Sequence, residues 1–563
     1  MQPLTKSWQI HPSITPEVEQ ALFSYPPVLR QLLYNRDILT PDAAKRYLEA
    51  QPPPGTEAEN LLGMAEAVER IQFAIQKLES IAIYGDYDAD GVTATALLVS
   101  ALQRAGADVS GYIPNRFDEG YGLNVEALRS LHEQGKQLVI TVDCGMRSIE
   151  EAAYAQKIGL DLIISDHHHP SDEIPPALAI INAKQPGDTY PDKNLAGVGL
   201  AYKLATAIYE DPSLTAEHLD LVALGTVADL APLVGENRAL VRAGLEQIRR
   251  PHRQGLLALI GAAGLRPDRI SAGDIGYTLG PRLNAAGRLE SALAALELLL
   301  SQDVYSAASL AQKLDAQNRE RQQITREIQA QAEQIALAEE PDALLLFAAD
   351  PGFNPGVVGL AASRLTEIYY RPAIVASRGE QTTRGSCRSI PEFHITDALD
   401  RCADLLVRHG GHAAAAGFTV RNENLPALKQ RLQELAQAQL GGLQLRPQLH
   451  ADLEIPLAEL RPELLQYIEA LQPTGYGNRQ AAFISRDLKV NSYRQIGKDS
   501  KHLRMTVSDR RITYDAVAFN QGYWAEAMPP EIDILYSYET NEYNGRTSLQ
   551  LNVRDLKPAG RMD

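Results

Sequence analysis

The chain has 563 residues, enough for several domains at roughly 100–200 residues each, and its 45% hydrophobic and 22% charged content is ordinary for globular protein. A formal net charge of −17 argues against indiscriminate coating of nucleic acid, although a local basic groove inside an acidic protein still binds phosphate. Cys144, Cys387 and Cys402 are too few for a disulfide framework, no apolar run is long enough to cross a bilayer, and the first residues show no secretion signal, so a cytoplasmic protein is expected.

Residues 1–60 mix Pro and polar positions with short helical pieces such as Pro41 to Ala50, and read as an N-terminal arm packed on the domain next to it in the chain. From residue 61 the pattern alternates helix and strand, with strands expected at Ile81 to Tyr84, Leu138 to Val142 and Leu162 to Ser165. That alternation predicts a parallel sheet covered by helices on both faces, over residues 61–302. Residues 303–340 are rich in Ala, Gln, Glu and Arg without Gly, which predicts a long connecting helix. A second, smaller α/β domain is expected over 341–445. Residues 446–563 carry β-like segments at Ala481 to Ile484, Ile512 to Phe519 and Ile532 to Tyr538, which suggest a small barrel or sandwich, an oligonucleotide-binding barrel among the options. Tyr476, Tyr493, Tyr514, Tyr523, Tyr536 and Tyr543 are candidates for base stacking, with ordinary sheet residues as the plainer alternative.

Each of the first three strands runs directly into a polar cluster: Asp86/Asp88/Asp90, then Asp143-Cys-Gly145, then Asp166-His-His-His169. In open α/β sheets such clusters converge at the carboxyl ends of the strands. Three anions within five residues repel one another unless a cation neutralises them, although an acidic solvated turn at a helix start is the alternative. Gly85 and Gly91 are expected to supply backbone freedom there. Asp229, beside a helical apolar stripe over Leu219 to Leu230, is a fourth contributor.

Asp86, Asp88, Asp143, His167 and Asp229 offer hard oxygen ligands and one imidazole, a set suited to Mn²⁺ or Mg²⁺. A carboxylate shared by two such ions, roughly 3.5 to 4 Å apart, makes the two-metal centre of a phosphoester hydrolase. Asp166 is expected to orient its neighbours by hydrogen bonds, His168 to face the phosphate, His169 to be an exposed neighbour, and Asp90 to support the turn or a metal-bound water.

Gly85-Asp-Tyr-Asp-Ala-Asp-Gly91, Val142-Asp-Cys-Gly145, Asp166-His-His168 and Gly225-Thr-Val-Ala-Asp-Leu-Ala-Pro-Leu233 resemble, in order, the motifs of the DHH phosphoesterase superfamily. Gly280-Pro-Arg-Leu-Asn-Ala-Ala-Gly-Arg288 and Gly410-Gly-His-Ala-Ala-Ala-Ala-Gly-Phe418 narrow the resemblance to its RecJ exonuclease family, over roughly residues 60 to 560. The resemblance implies a DHH domain with a parallel sheet, a long helix to a smaller DHHA1 domain, and a C-terminal OB-like barrel. It implies a 5′-to-3′ exonuclease that releases mononucleotides from single-stranded DNA in recombination and repair, with two divalent ions, Mn²⁺ or Mg²⁺, and Asp143 as the bridge. A monomer is expected, with a single-strand-binding protein and a RecQ-type helicase as partners.

By the same resemblance Arg282 neutralises charge on the scissile phosphate, with a surface salt bridge as its alternative. Arg116, Ser386 and Arg388 hold a terminal 5′ phosphate, in a narrow groove that the family's architecture places between the two α/β domains. Gly411, His412 and Gly417 let backbone approach a nucleotide, a tight helix-packing turn being the alternative. Three departures from the family pattern stand at Ala82, in place of a His, at Phe353-Asn354, in place of Trp-His, and at Pro473-Thr-Gly-Tyr-Gly-Asn-Arg479. Two rival functions remain open: a DHH enzyme of short oligonucleotides or nucleotide phosphates, and a catalytically silent replication scaffold.

Overall fold

The β-prone run Ser80–Gly85, buried from Ile81 to its end, is the strand on which a five-stranded sheet is laid. The structure is a computed structural model describing residues 4–115, 122–209, 212–543 and 546–560. Strands β1 (Ser80–Gly85), β2 (Asp108–Tyr112), β3 (Leu138–Val142), β4 (Asp161–Ser165) and β5 (Ala179–Ile181) lie in the order β2-β1-β3-β4-β5. All are parallel. Because alternate residues face opposite sides, Ile81 and Ile83 enter one core and Ala82 and Tyr84 another, each roofed by helices. The chain goes from β1 out to β2 and returns to β3 on the other side of β1, so the topological switch falls between β1 and β3. Gly85, Val142 and Ser165 stand level in register, so the residues that come after them emerge along one edge.

The chain divides into two compact units, residues 8–314 with 449–563, and residues 1–7 with 315–448. In the first, the β1–β5 domain is joined by a closed barrel of β11 (Phe483–Ile496), β12 (His502–Ser508), β13 (Thr513–Ala518), β14 (Glu531–Tyr543) and β15 (Arg546–Pro558), in the order β11-β12-β13-β15-β14, with β14 pairing back to β11. Two of these strands escape a sequence reading. His502–Ser508 and Arg546–Pro558 alternate apolar with Arg, Thr, Asn and Asp, so their inward residues Leu503, Met505, Leu551 and Val553 are diluted by outward polar ones. Tyr514 and Tyr536 are barrel core, Tyr476, Tyr493 and Tyr523 are exposed, and the Tyr543 side chain lies outside the described residues.

The N-terminal arm does not pack simply on its neighbour in the chain. Leu22, Leu29, Leu32, Leu33, Ile38 and Ala44 share the barrel's core, because the amphipathic helices Pro27–Tyr34 and Pro41–Glu49 have apolar faces that match it. The arm reaches the parallel-sheet domain through the stretch around Thr56 and Ala58 and through the carbonyls of Tyr47 and Leu48, which accept from Arg238 and Arg242.

The other unit has a mixed sheet of β6 (Leu346–Asp350), β7 (Ala373–Arg378), β8 (Thr382–Arg388), β9 (Leu406–His412) and β10 (Ala415–Arg421), in the order β9-β10-β8-β7-β6. The helix Val304–Glu339 is continuous over 36 residues and runs from the first unit into the second. Among the described residues no helix is long and apolar enough to cross a membrane.

Candidate metal centre

Asp86, Asp143 and Asp166 come directly after the level ends of β1, β3 and β4. After β1 the chain turns into helix α1 (Ala89–Arg104), and Asp88 is its N-cap: Oδ1 accepts from Asp90 N at 2.9 Å and Gly91 N at 3.1 Å. This leaves the other oxygen of Asp88 for a cation. Gly85 and Gly91 do not serve as flexible hinges, for neither has a left-handed φ. They provide room: a Cβ on Gly91 would stand 2.5 Å from Asp86 O, and one on Gly85 2.0 Å from Thr95 Oγ1. Asp143 itself is left-handed, at φ 61, and its N–H donates to Ser165 O at 3.0 Å, which fixes the carboxylate over β4.

Three overlapping groups of ligand atoms lie within 4.8 Å of one another: Asp86, Asp88 and Asp143; Asp143, His167 and His168; and Asp90, His167 and Asp229. Asp143 Oδ1 lies 3.1 Å from His167 Nε2, and among the described residues neither atom has a hydrogen-bond partner although both are buried. Burial, then the charge of His168, lowers the His167 pKa to about 3, so its imidazole is neutral. A carboxylate oxygen and a neutral ring nitrogen left unpaired in a buried site fit a shared divalent cation. The five residues Asp86, Asp88, Asp143, His167 and Asp229 therefore meet in space, with Asp143 in two of the three groups.

The electrostatics suit a site built to hold a cation. Burial first, then Asp90, Asp88, Asp86 and Asp229, push the Asp143 carboxyl well above its ordinary value. Asp229, the C-cap of helix α3 (Leu219–Ala228), is raised to about 8 by burial and by Asp90 and Asp88. That helix carries no simple stripe; it is buried on all faces from Asp220 to Val227, which is why Asp229 is delivered at a fixed height.

Asp90 is fully buried, and its two oxygens accept from Gly197 N at 2.7 Å and Val198 N at 2.8 Å, the start of helix α2 (Gly197–Tyr209). Burial and Asp88 raise its pKa to about 7. It thus ties α1 to α2, and lies 3.9 Å from His167 Nε2. Asp166 orients His168: Oδ1 accepts from His168 N at 3.0 Å and pairs with its Nδ1 at 2.7 Å, while Oδ2 accepts from Met146 N at 2.9 Å. Burial works against a charged His168, but the hydrogen bond and charge of Asp166, with Asp229 and Asp86, outweigh it and raise the pKa.

The sequence reading missed Asn182 and Lys184, in the turn after β5. Lys184 Nζ donates to His167 O at 2.5 Å and Asn182 Nδ2 to His168 O at 2.8 Å, so one turn holds both histidines by their carbonyls. It also missed Asn284, whose Oδ1 accepts from Ala89 N at 2.7 Å. Asn284 and Arg288, on helix α4 (Gly280–Leu289), line a cavity of about 160 Å³ with Tyr87, Asp88, Ala228 and Asp229. Arg282, on the same helix, donates from Nη1 to Thr278 O at 2.7 Å.

In the other unit, Ser386 and Arg388 lie on β8, 3.2 Å apart from Oγ to Nη1. Gly359, in the first turn of helix α5 (Val358–Tyr369), faces them; a Cβ there would stand 2.8 Å from Ser386 Oγ and 3.1 Å from Arg388 Nη2. Burial lowers the Arg388 pKa. The Gly410–Gly417 run is neither a loop nor a helix-packing turn but a β-hairpin: Gly411 pairs with Ala416, His412 with Ala415, and Gly417 lies beside Ser386. Arg116 lies outside the described residues.

A parallel α/β domain with carboxylates and a neutral imidazole gathered at its switch point defines a metal-dependent phosphoesterase of the DHH class. The profile of the DHH family N-terminal domain matches residues 80–226, that of the DHHA1 domain residues 342–438, and that of the RecJ OB domain residues 451–555. The single-stranded-DNA-specific exonuclease RecJ of Bacillus subtilis is 40% identical, over 94% of this chain and 68% of the relative. That of Salmonella typhimurium is 36% identical, over 95% and 96%. The crystal structure of RecJ from Thermus thermophilus in complex with Mn²⁺ superposes with a TM-score of 0.84 at 31% identity, covering 99% of this chain and 80% of that one. The chain belongs to the RecJ family, as the motifs imply, and its α/β, DHHA1 and OB-barrel architecture is that of the family.

Proposed function

We propose that the protein is a 5′-to-3′ exonuclease that hydrolyses single-stranded DNA to mononucleotides with two divalent ions, Mn²⁺ or Mg²⁺, in recombination and repair. The observation that carries the reading is the buried, unpaired Asp143 Oδ1 and His167 Nε2 at the centre of an acidic cluster, in a chain of the RecJ family. Asp86, Asp88, Asp143, His167 and Asp229 are the residues that would hold the ions, with Asp143 shared. When bound, such ions lower the pKa of water and neutralise charge on the phosphate. His168, oriented by Asp166, whose hydrogen bond and charge raise its pKa, is placed to donate to the phosphate oxygens. Asp90 holds α2 against α1 and so keeps Asp86 and Asp88 at their stations.

Ser386 and Arg388, with Arg116, are proposed to hold the terminal 5′ phosphate; the hydroxyl, the guanidinium and the first turn of α5 beside Gly359 form an anion site. Gly411, His412 and Gly417 border it by strand pairing, and Arg282 is proposed to act on the scissile phosphate. A monomer working in the cytoplasm with a single-strand-binding protein and a RecQ-type helicase completes the proposal. The test is digestion of 5′-phosphorylated and 5′-hydroxyl single strands in Mn²⁺. Mononucleotides released from the 5′ end, faster from the phosphorylated strand, are expected. Release from the 3′ end would refute the polarity, and equal rates from both strands would refute the phosphate site.

A further inference from the structure

We propose that Leu230 is a substrate-contacting residue, whose side chain stands against the sugar and base of the nucleotide at the metal centre; this rests on the exonuclease reading. Helix α3 ends in a Schellman closure: Ala231 N donates to Thr226 O and Leu230 N to Val227 O, each at 3.2 Å. Leu230 therefore occupies the left-handed position of that motif, at φ 60, where glycine has no steric penalty and a leucine does. The side chain does not recover that cost by packing. Leu230 is 67% exposed, while Ala231 and Leu233 on either side of Pro232 are buried. A lone exposed leucine needs no explanation, but a strained one beside a ligand residue does.

Its position is defined on both sides. Asp229 precedes it, and Ala228 and Asp229 line the cavity that also holds Asp88, Asn284 and Arg288. Beyond it the chain is immobilised, for Leu233 N donates to Tyr476 O at 2.8 Å, and Gly477 lies so close that a Cβ would stand 2.9 Å from Pro232 Cβ. The Tyr476 loop is the departure from the family pattern singled out in the sequence, and here it acts as a brace for the segment that carries Leu230. A nucleotide offers an anion to the polar side of the cavity and an apolar surface to whatever adjoins it. In a single strand that surface is not covered by a paired duplex.

The test uses the full-length protein with Leu230→Gly, Leu230→Asn and Leu230→Met. Gly and Asn suit the left-handed position, so both are expected to melt at or above the wild-type temperature and to keep the melting-temperature rise caused by Mn²⁺. On a 5′-phosphorylated single strand their KM should rise roughly tenfold, with a smaller change in kcat. Leu230→Met, which restores length and apolar character, should recover most of the loss. A lower melting temperature for Leu230→Gly would assign the leucine to the fold and overturn the inference, as would an unchanged KM. An inactive wild type overturns the exonuclease reading and this inference with it, whereas an active wild type with unchanged KM in Leu230→Gly overturns this inference alone.

Discussion

Asp143 shows how one residue is made costly in order to be useful. Its carboxylate is buried among four others, and its raised pKa means that the folded chain holds a proton there more readily than the unfolded chain does. In the metal-free protein its ionisation therefore works against folding as pH rises above its ordinary range. Asp143→Asn should raise the melting temperature in a chelator, by removing about 1–3 kcal/mol of uncompensated charge, while the stabilisation by Mn²⁺ shrinks. Hydrolysis should fall by at least about 1000-fold. Thermal melts with and without Mn²⁺ check the first part, and retention of near-normal activity would sink the shared-ligand assignment. Around it, Lys184 and Asn182 hold the two histidines by backbone carbonyls alone. Lys184→Met should weaken Mn²⁺ binding by roughly tenfold, the usual scale for a residue that orients a ligand, and calorimetric titration with an unchanged dissociation constant would refute that. The ligands themselves are legible in the sequence because acidic motifs recur at strand ends. Asn182 and Lys184 are not, because a side chain that grips a carbonyl leaves no spacing in the sequence.

At the scale of elements, helix α3 carries Asp229 on its end, and its start is pinned by a buried group of His218, Asp220 and Arg253. Arg253 Nε donates to Asp220 Oδ2 at 3.1 Å, and its Nη2 lies 3.3 Å from His218 Nδ1. Burial, then the Arg253 charge, lowers the His218 pKa to about 4. The unfolded chain takes up this proton near 6.5 and the folded chain only near 4, so stability present above 6.5 is lost as pH falls through that window. His218→Gln should therefore flatten the loss between pH 7 and 5, by about 2 kcal/mol if the full shift is expressed. Urea melts of both proteins across that range check it, and parallel curves would remove His218 from the account. Strands β1, β3 and β4 are legible because each is a short apolar run ended by a polar cluster. Strands β2 and β5 lie at the sheet edges, β2 diluted by Asp108, Ser110 and Gly111 and β5 only three residues long. The arm's helix at Pro41–Glu49 shows in the sequence, but nothing there announces that its apolar face joins the barrel core. Local pattern announces an element; it does not announce its partner.

At the scale of the molecule, the two ends of the chain and the metal-bearing domain meet at Arg238. Its guanidinium is buried, lies 4.0 Å from the Tyr47 ring centre, and donates to the carbonyls of Tyr47, of Ala470 at 2.9 Å and of Gln472 at 2.8 Å. Nearby Asn478 donates to Leu471 O and Pro473 O and accepts from Tyr47 OH, so the same loop that braces the segment after Asp229 is itself locked to the arm. No sequence reading reaches this, since Tyr47 lies 191 residues before Arg238, Ala470 and Gln472 lie 232 and 234 residues after it, and all three are contacted through their backbones. Arg238→Met fills the volume but removes a donor from each of those carbonyls, of which Tyr47 O keeps Ala50 N, and should cost about 3–5 kcal/mol, the scale for breaking a buried charged network. Arg238→Lys, a point charge in place of a planar fork, should restore only part. Because the arm and barrel form one core and the parallel sheet another, the loss should fall on their union. Thermal unfolding followed by calorimetry should then resolve an early transition for the arm and barrel, and a later one that still rises with Mn²⁺. A single transition shifted as a whole would mean that the two cores are held together elsewhere.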